Sequence, residues 1–293
     1  MTLQAGFQFS QSNLQDYIDC QRRFQLRHVF HIAWPAVEAM PAIENEYFIH
    51  LGASFHYLVR QHQSGIPVES LTASIPYLQK SGGDELAHWW ENYLTFMTSY
   101  QDLGPIVQPG SSQGIKRLAE LSLSAPISDF RMVAKYDLLA FLPSGKIIII
   151  DWKTNRTRPK RRWLLDRIQT HIYPYLLVQA GSELNNGHPI NPEQVEMCYW
   201  FANFPTEIEQ IYYSVDQYQS DMAFLLDLVE KINQKTDNEF PLTHNDLNCR
   251  FCVYRSLCDR GILAGQLDQN DILGHDDNAS IDLNFDQITE IDF

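Results

Sequence analysis

The chain has 293 residues, enough to bury a sizeable core as one embellished domain or as two, and its 44% hydrophobic and 20% charged composition excludes a disordered chain. A formal net charge of −14 argues at first against a phosphate-rich partner, because such binding is mostly electrostatic. The apolar runs are far too short to span a bilayer, and the start MTLQAGFQFSQSN lacks the basic and apolar regions of a signal peptide, so a cytoplasmic chain with no membrane partner is expected.

Ser10 to Phe30 predicts a helix, capped by Ser10 or Ser12, with Leu14, Tyr17, Ile18, Phe24 and Leu26 as its apolar positions. Glu44 to Gln63 and Asp84 to Gln101 predict two more, separated by turn-prone stretches at Ser64-Gly65-Ile66-Pro67 and Ser81-Gly82-Gly83. From Arg117 the pattern becomes that of strands. Leu118 to Ser124 alternates, Met132 to Leu142 follows, and after a Pro143-Ser144-Gly145 turn Lys146 to Trp152 returns as the second arm of a hairpin. Arg161 to Gln179 then reads as a helix, Val195 to Phe201 and Ile208 to Val215 as strands, and Asp216 to Lys235 as a helix. This succession gives a mixed α/β core behind a mostly helical first third. Beyond Gly261 the chain is acidic and aperiodic, which predicts a flexible or loosely docked tail.

Charge is segregated along the chain. The tail carries Asp268, Asp271, Asp276, Asp277, Asp282, Asp286, Glu290 and Asp292 with no lysine or arginine, and so holds more than half of the excess. Lys153, Arg156, Arg158, Lys160, Arg161, Arg162 and Arg167 face only one acid, Asp166. That basic run is either a solvated helix face or a phosphate-facing surface.

It begins where the chemistry is densest, in the stretch KIIIIDWKTNR from Lys146 to Arg156. An uninterrupted β-branched run reads as a strand covered on both faces, so Asp151 and Lys153 sit at its end. Two residues apart, they leave the same face and can converge on one point. Alone, such a pair is a solvated strand end with a salt bridge. Upstream, Asp137 puts a second carboxylate inside the otherwise apolar strand Val133 to Leu139, where it needs a cation. If Asp137 and Asp151 face each other across the hairpin, they form an oxygen-rich site suited to Mg2+ or Mn2+, with Lys153 beside it.

In these residues the sequence resembles the PD-(D/E)xK nuclease superfamily, in which an Asp, a D/E-x-K and a following helix make the active site. Gly52-Ala-Ser-Phe-His56 and Gln169-Thr-His-Ile-Tyr173 resemble the G-x-x-x-H and Q-x-x-x-Y of its RecB-like and Cas4-like branch. The resemblance implies a restriction-endonuclease-like fold, a mixed β-sheet flanked by helices. It implies His56, Asp137 and Asp151 as metal ligands and Lys153 as the group assisting the attacking water. Gln169 and Tyr173, on one helix face at i and i+4, would orient Lys153 or the scissile phosphate. Glu120 is a candidate for an outer position.

Cys249, Cys252 and Cys258 form C-x2-C-x5-C, and Cys20 lies far upstream in Y-x-x-C-x-x-x-F. Four such cysteines read generically as a structural Zn2+ site. Their arrangement, however, is similar to that of Cas4, AddB and Dna2 type nucleases, which implies a [4Fe-4S] cluster joining the two ends of the chain. The family usually has proline where this chain has Gln21, and glycine where it has Ala134. Cys198, in an apolar strand, is expected in the core.

The expectation is one nuclease domain over 1–262, with a helical part at 1–104, a catalytic core at 115–235 and a C-terminal iron-sulfur segment at 240–262, followed by an acidic flexible tail at 263–293. Its substrate would be DNA, single-stranded or with free ends, in repair, recombination or CRISPR adaptation. A helicase, a single-strand-binding protein or a CRISPR adaptation protein is a candidate partner. The alternatives are a non-catalytic DNA-binding or assembly subunit, and an RNA-directed or restriction-type nuclease. The tail could occupy the DNA channel, and its end, Ile288 to Phe293, resembles the acidic tips by which single-strand-binding proteins recruit partners.

Overall fold

Ile147, Ile148, Ile149 and Ile150 are all buried, alternately in two cores on opposite faces of one sheet. The structure, a computed structural model, describes residues 3–4, 6–32, 40–78, 84–100, 102–110, 114–250 and 252–261, with the backbone alone over 40–46. The turn expected at 81–83 and the acidic tail at 263–293 lie outside the described residues.

The described chain runs β1 (Gln8–Ser10), α1 (Gln11–Asp19), α2 (Gln21–Phe24), a π-helical turn at Gln25–Val29, α3 (Met40–Gln63), α4 (Val68–Leu78), α5 (Glu85–Ser99) and α6 (Gly104–Val107). Then come β2 (Lys116–Ile127), β3 (Phe130–Phe141), β4 (Ile147–Lys153), α7 (Arg161–Leu165), α8 (Ile168–Ala180), β5 (Val195–Phe201), β6 (Glu209–Tyr212) and α9 (Val215–Asn233). Short 3-10 turns at Asp246–Cys249 and Arg255–Cys258 carry Cys249 and Cys258, with Cys252 between them. The architecture is mixed α/β, as expected. β1 pairs parallel with β3 and β4 parallel with β5, while β2 with β3, β3 with β4, and β5 with β6 are antiparallel. α1, α8 and α9 contribute to one core, and α3, α4 and α5 to the other. No helix is long and apolar enough to cross a membrane among the described residues.

β3 is the organising strand. β2 pairs with it along one edge, whereas the other edge is shared by β1 at Arg131–Val133 and β4 at Leu138–Phe141. Among the described residues no strand pairs with that edge over 134–137, so the sheet forks there. The side-chain alternation slips at the same place. Ala134 and Tyr136 join the first core, as do Leu139 and Phe141, with Leu138 and Ala140 in the second. On β2, Leu118 and Leu121 both pack on the first core, and Glu120 between them has a left-handed φ of 54°. A non-glycine residue there is strained, and such strain persists only where the surroundings impose it.

Several expected elements differ. The first helix is interrupted at Cys20, whose backbone is extended at φ −161° and ψ 107°; Ser10, in a capping box with Asn13, begins it. The helix expected at 161–179 is two, divided at Arg167, and the strand expected at 208–215 keeps only Glu209–Tyr212. α4 and β1 were not anticipated. Leu71 and Ile75, one turn apart and buried, signal α4, but three residues of β1 are too few to show an alternation. Cys198 lies in the core, 1% exposed.

The second core centres on Trp200, which stacks on Phe55 at 6.0 Å and meets Tyr93, Phe96 and Trp152. Trp200→Ala is expected to cost about 3–5 kcal/mol of stability, read as a lowered midpoint in urea unfolding at unchanged slope.

Candidate active site

Asp137 sits at the fork. The last β3–β4 pair is Leu138 with Ile150, and beyond it the Asp137 carboxylate takes the place of a backbone partner, its Oδ2 accepting from the Trp152 N–H at 2.9 Å. From the α3 side, His56 Nδ1 lies 3.4 Å from Oδ1. Burial alone would raise this carboxyl, but His56, the Trp152 N–H and the Lys153 ammonium together hold it below its ordinary value.

Asp151 and Lys153 leave β4 on the opposite face to Ile150 and Trp152, toward α8. Gln169 of α8 spans the pair: its Nε2 donates to Asp151 Oδ1, and its Oε1 accepts from Lys153 Nζ at 2.9 Å. Lys153 Nζ is 3.1 Å from Asp151 Oδ2, a buried oxygen that is ion-paired with that ammonium. Burial pushes Asp151 up to about 7, with Lys153 opposing the rise and the Asp137 charge adding to it. Tyr173, one turn after Gln169, is fully buried. Burial, then the charges of Asp151 and Asp137, raise its phenol well above the ordinary value, so it stays a neutral donor. That hydroxyl donates to Gln11 Oε1 at 2.9 Å, and the Tyr136 hydroxyl donates to the Tyr173 carbonyl at 2.8 Å.

One atom each of His56, Glu120 and Asp137 lie within 4.8 Å of one another, the one His, Cys, Asp or Glu group of this kind among the described residues. Glu120, expected in an outer position, is therefore drawn to Asp137 by the kink in β2, although its carboxylate also pairs with Lys135. Asp151 is outside that trio and is linked to it through Asp137. Gly52 lies one turn before His56, and a Cβ there would come within 3.0 Å of Thr154 Oγ1. The missing side chain lets α3 approach the segment that follows Lys153. Gln11 escaped the sequence reading because nothing in a helix's first residue signals a tie to a distant tyrosine.

The donor set suits a hard divalent cation: two carboxylates and an imidazole lie in reach of one point. Cys20, Cys249, Cys252 and Cys258 line a separate cavity with Arg23 and Arg260, and all are free thiols. No three of these thiols lie within 4.8 Å of one another. Arg260 Nη1 donates to Cys249 Sγ at 3.2 Å, and Asn248 Nδ2 donates to the Asp19 carbonyl at 2.8 Å, tying the late turns to the N-terminal helices.

A mixed sheet with helices on both faces thus carries carboxylates, an imidazole and a lysine together at a strand fork. The model of the PD-(D/E)XK nuclease superfamily matches residues 8–259. The chain belongs to that superfamily and is a phosphodiester hydrolase. Among solved structures, a protein of Eubacterium rectale described as a "Putative exonuclease" shares the fold with a TM-score of 0.50 and 11% identity, over 90% of this chain and 92% of that one. The structure of SSO0001 superposes with a TM-score of 0.40 and 12% identity, over 86% and 85% of the two chains, which is too low to bear on the fold. No curated protein matches the sequence.

Lys153→Met removes the ammonium that opposes the rise of Asp151, so this carboxyl is expected to climb further above 7. In EDTA the variant's loss of stability in urea unfolding should grow as pH rises above about 7, by about 1 kcal/mol per pH unit, and Asp151→Asn in the same chain should remove that pH dependence.

Proposed function

We propose that this nuclease is a RecB-like, Cas4-like enzyme that cleaves DNA with single-stranded or free ends, using Mg2+ or Mn2+ held by His56, Asp137 and Asp151. The single observation that carries the reading is the convergence on Asp137 of His56 from α3 and of the Asp151–Lys153–Gln169 network from the other face. Glu120 is within reach as a further ligand. When bound, the cation supplies Lewis acidity at the phosphate and lowers the pKa of a water.

The chain's own groups then have separable tasks. Lys153, fixed by Gln169, keeps a positive charge beside the carboxylates, where it can assist the attacking water and offset charge developing on the phosphate. Tyr173 offers a neutral phenol beside Gln169. Lys160 and Arg162, exposed just beyond the site, are suited to backbone phosphates, whereas Arg158 and Arg161 are engaged by Glu209. The work of such an enzyme would lie in repair, recombination or CRISPR adaptation.

The test is cleavage of end-labelled single- and double-stranded DNA with Mg2+ or Mn2+. Asp137→Ala, Asp151→Ala and Lys153→Ala should each slow it on the order of a hundredfold or more, with folding retained, and EDTA should abolish it. Cleavage at the unaltered rate by the Asp151→Ala protein overturns the assignment.

In the same reading the four cysteines hold a [4Fe-4S] cluster. The cavity that these thiols line with Arg23 and Arg260 is where such a group would sit, and a tetrahedral Zn2+ is the alternative for the same four ligands. Anaerobically purified protein should be brown and contain iron, and Cys252→Ser should bleach it and lower its Tm. Colourless protein with stoichiometric zinc would refute the cluster.

A further inference from the structure

The chain that leaves β4 after Lys153 is held as firmly as the strand itself. Thr154 and Asn155 are each 4% exposed, although neither belongs to a helix or a strand. Backbone groups buried in this way need partners, and here the end of β5 supplies them. The Ala202 N–H donates to the Lys153 carbonyl at 2.8 Å, and Asn203 Nδ2 donates to the Asn155 carbonyl at 2.9 Å. Asn203 Oδ1 in turn accepts from Trp89 Nε1 at 2.9 Å, which anchors the clamp in α5. Thr154 lies against Gly52 of α3, where a Cβ would come within 3.0 Å of its Oγ1.

Every residue from Ile147 to Asn155 is buried, and Arg156 is the first to emerge. It emerges onto an aromatic ring. Its Cζ stands 4.2 Å from the centroid of Phe48, well inside the about 6 Å at which a cation begins to feel a ring. Phe48 is on α3, one turn before Gly52 and two before His56, so the pair lies about 12 Å along the helix from the imidazole that reaches Asp137. The ring itself is fixed, packed against the second core and met edge-on by Tyr47 at 5.4 Å. Arg156 makes no ion pair among the described residues, whereas Arg158 and Arg161 are taken up by Glu209 and Lys153 by Asp151.

Stacking decides what this guanidinium presents. The ring covers one side of it, so its other side is a flat, positively charged layer open to solvent. A planar group is the complement of such a layer. Phosphates need no plane, and Lys160 and Arg162 offer them exposed cations a little further on. An unpaired base has a π face without a neighbour and stacks on arginine planes as it does on aromatic ones. Bases inside a duplex have both faces occupied.

We infer that Phe48 and Arg156 form a stacking platform beside the nuclease site, on which an unpaired base of a single-stranded nucleic acid rests. The inference rests on the proposed nuclease reading and deepens it, because it gives a preference for single strands a place in the structure. One clamped segment carries both Lys153 and Arg156, so the group that serves the scissile phosphate and the group that serves the base keep a fixed spacing.

The experiment measures binding of a short, end-labelled single-stranded DNA in EDTA, where cleavage stops, together with copies that each lack one base and a blunt duplex of the same sequence. Removal of one particular base should weaken binding to the unaltered protein about tenfold, the worth of one stacked base. Arg156→Lys keeps the charge and loses the plane. It should bind the intact strand about tenfold more weakly at unchanged salt dependence, and should be indifferent to that base. Phe48→Leu, which keeps the apolar packing, should do the same, while duplex binding by either variant changes by less than about twofold. An Arg156→Lys protein with the affinity and the base sensitivity of the unaltered one overturns the proposal. So does a strand in which no single base matters. A loss confined to Arg156→Ala, with a shallower salt dependence, overturns it in favour of a phosphate contact. Should Phe48→Leu lower the Tm, Arg156→Lys, at an exposed position, decides alone. Asp151→Ala separates the two readings: if it cleaves normally, the nuclease-site reading itself fails, whereas an inactive Asp151→Ala protein beside an unaffected Arg156→Lys protein sinks this inference alone.

Discussion

The structure depends on the burial of two carboxylates at a place where the sheet comes apart. Asp137 and Asp151 are 9% and 1% exposed, and carboxylates so enclosed must be neutralised, bonded or paired. Each is met by a different layer of the protein. Asp137 takes a backbone N–H that the ladder has released and an imidazole from α3, while Asp151 takes the ammonium of its own strand and an amide from α8. The two groups are pushed in opposite directions as a result, Asp137 down and Asp151 up. A site in which neighbouring acids differ in this way is poised for proton and metal chemistry.

The fork explains why both faces of the sheet are needed. A regular strand pair would send Asp137 toward a single core. The parity slip at Glu120 and Asp137 breaks the alternation, so that side chains from β2, β3 and α3 meet at one point while Asp151 and Lys153 remain directed at α8. Strain at Glu120 is the local cost of that arrangement, and the long β2–β3 ladder on either side over-determines it. The aromatic core around Trp200 holds α3 and α5 against the sheet, which fixes the height of His56 above Asp137.

α1 connects the two polar regions of the molecule. Its first residue bonds to Tyr173 at the carboxylate site, and the residue that ends it, Cys20, lines the cysteine cavity. Nine residues of helix make a strut of about 14 Å at 1.5 Å per residue. The late turns close on it through Asn248 and, further along, Tyr254, which donates to the Ile32 carbonyl at 3.0 Å. The ends of the described chain are thus built into the same body that positions α8.

Much was legible in the sequence because the relevant signals are local. Four consecutive isoleucines declare a strand covered on both faces, and the D-x-K spacing puts two side chains on one face whatever the rest of the fold does. The i, i+4 spacing of Gln169 and Tyr173 places them together on α8, and Ser10 caps its helix by a bond three residues long. What tertiary structure alone decided are the features whose partners are distant. The left-handed turn of Glu120 toward Asp137 follows from pairing across β2 and β3, the break before Ile168 is satisfied by Gln15, and Gln11 finds its partner in a tyrosine 162 positions away. Residue type and spacing set which face a side chain leaves from; which groups it meets depends on how the chain returns, and a buried polar atom takes its meaning from the partner that reaches it.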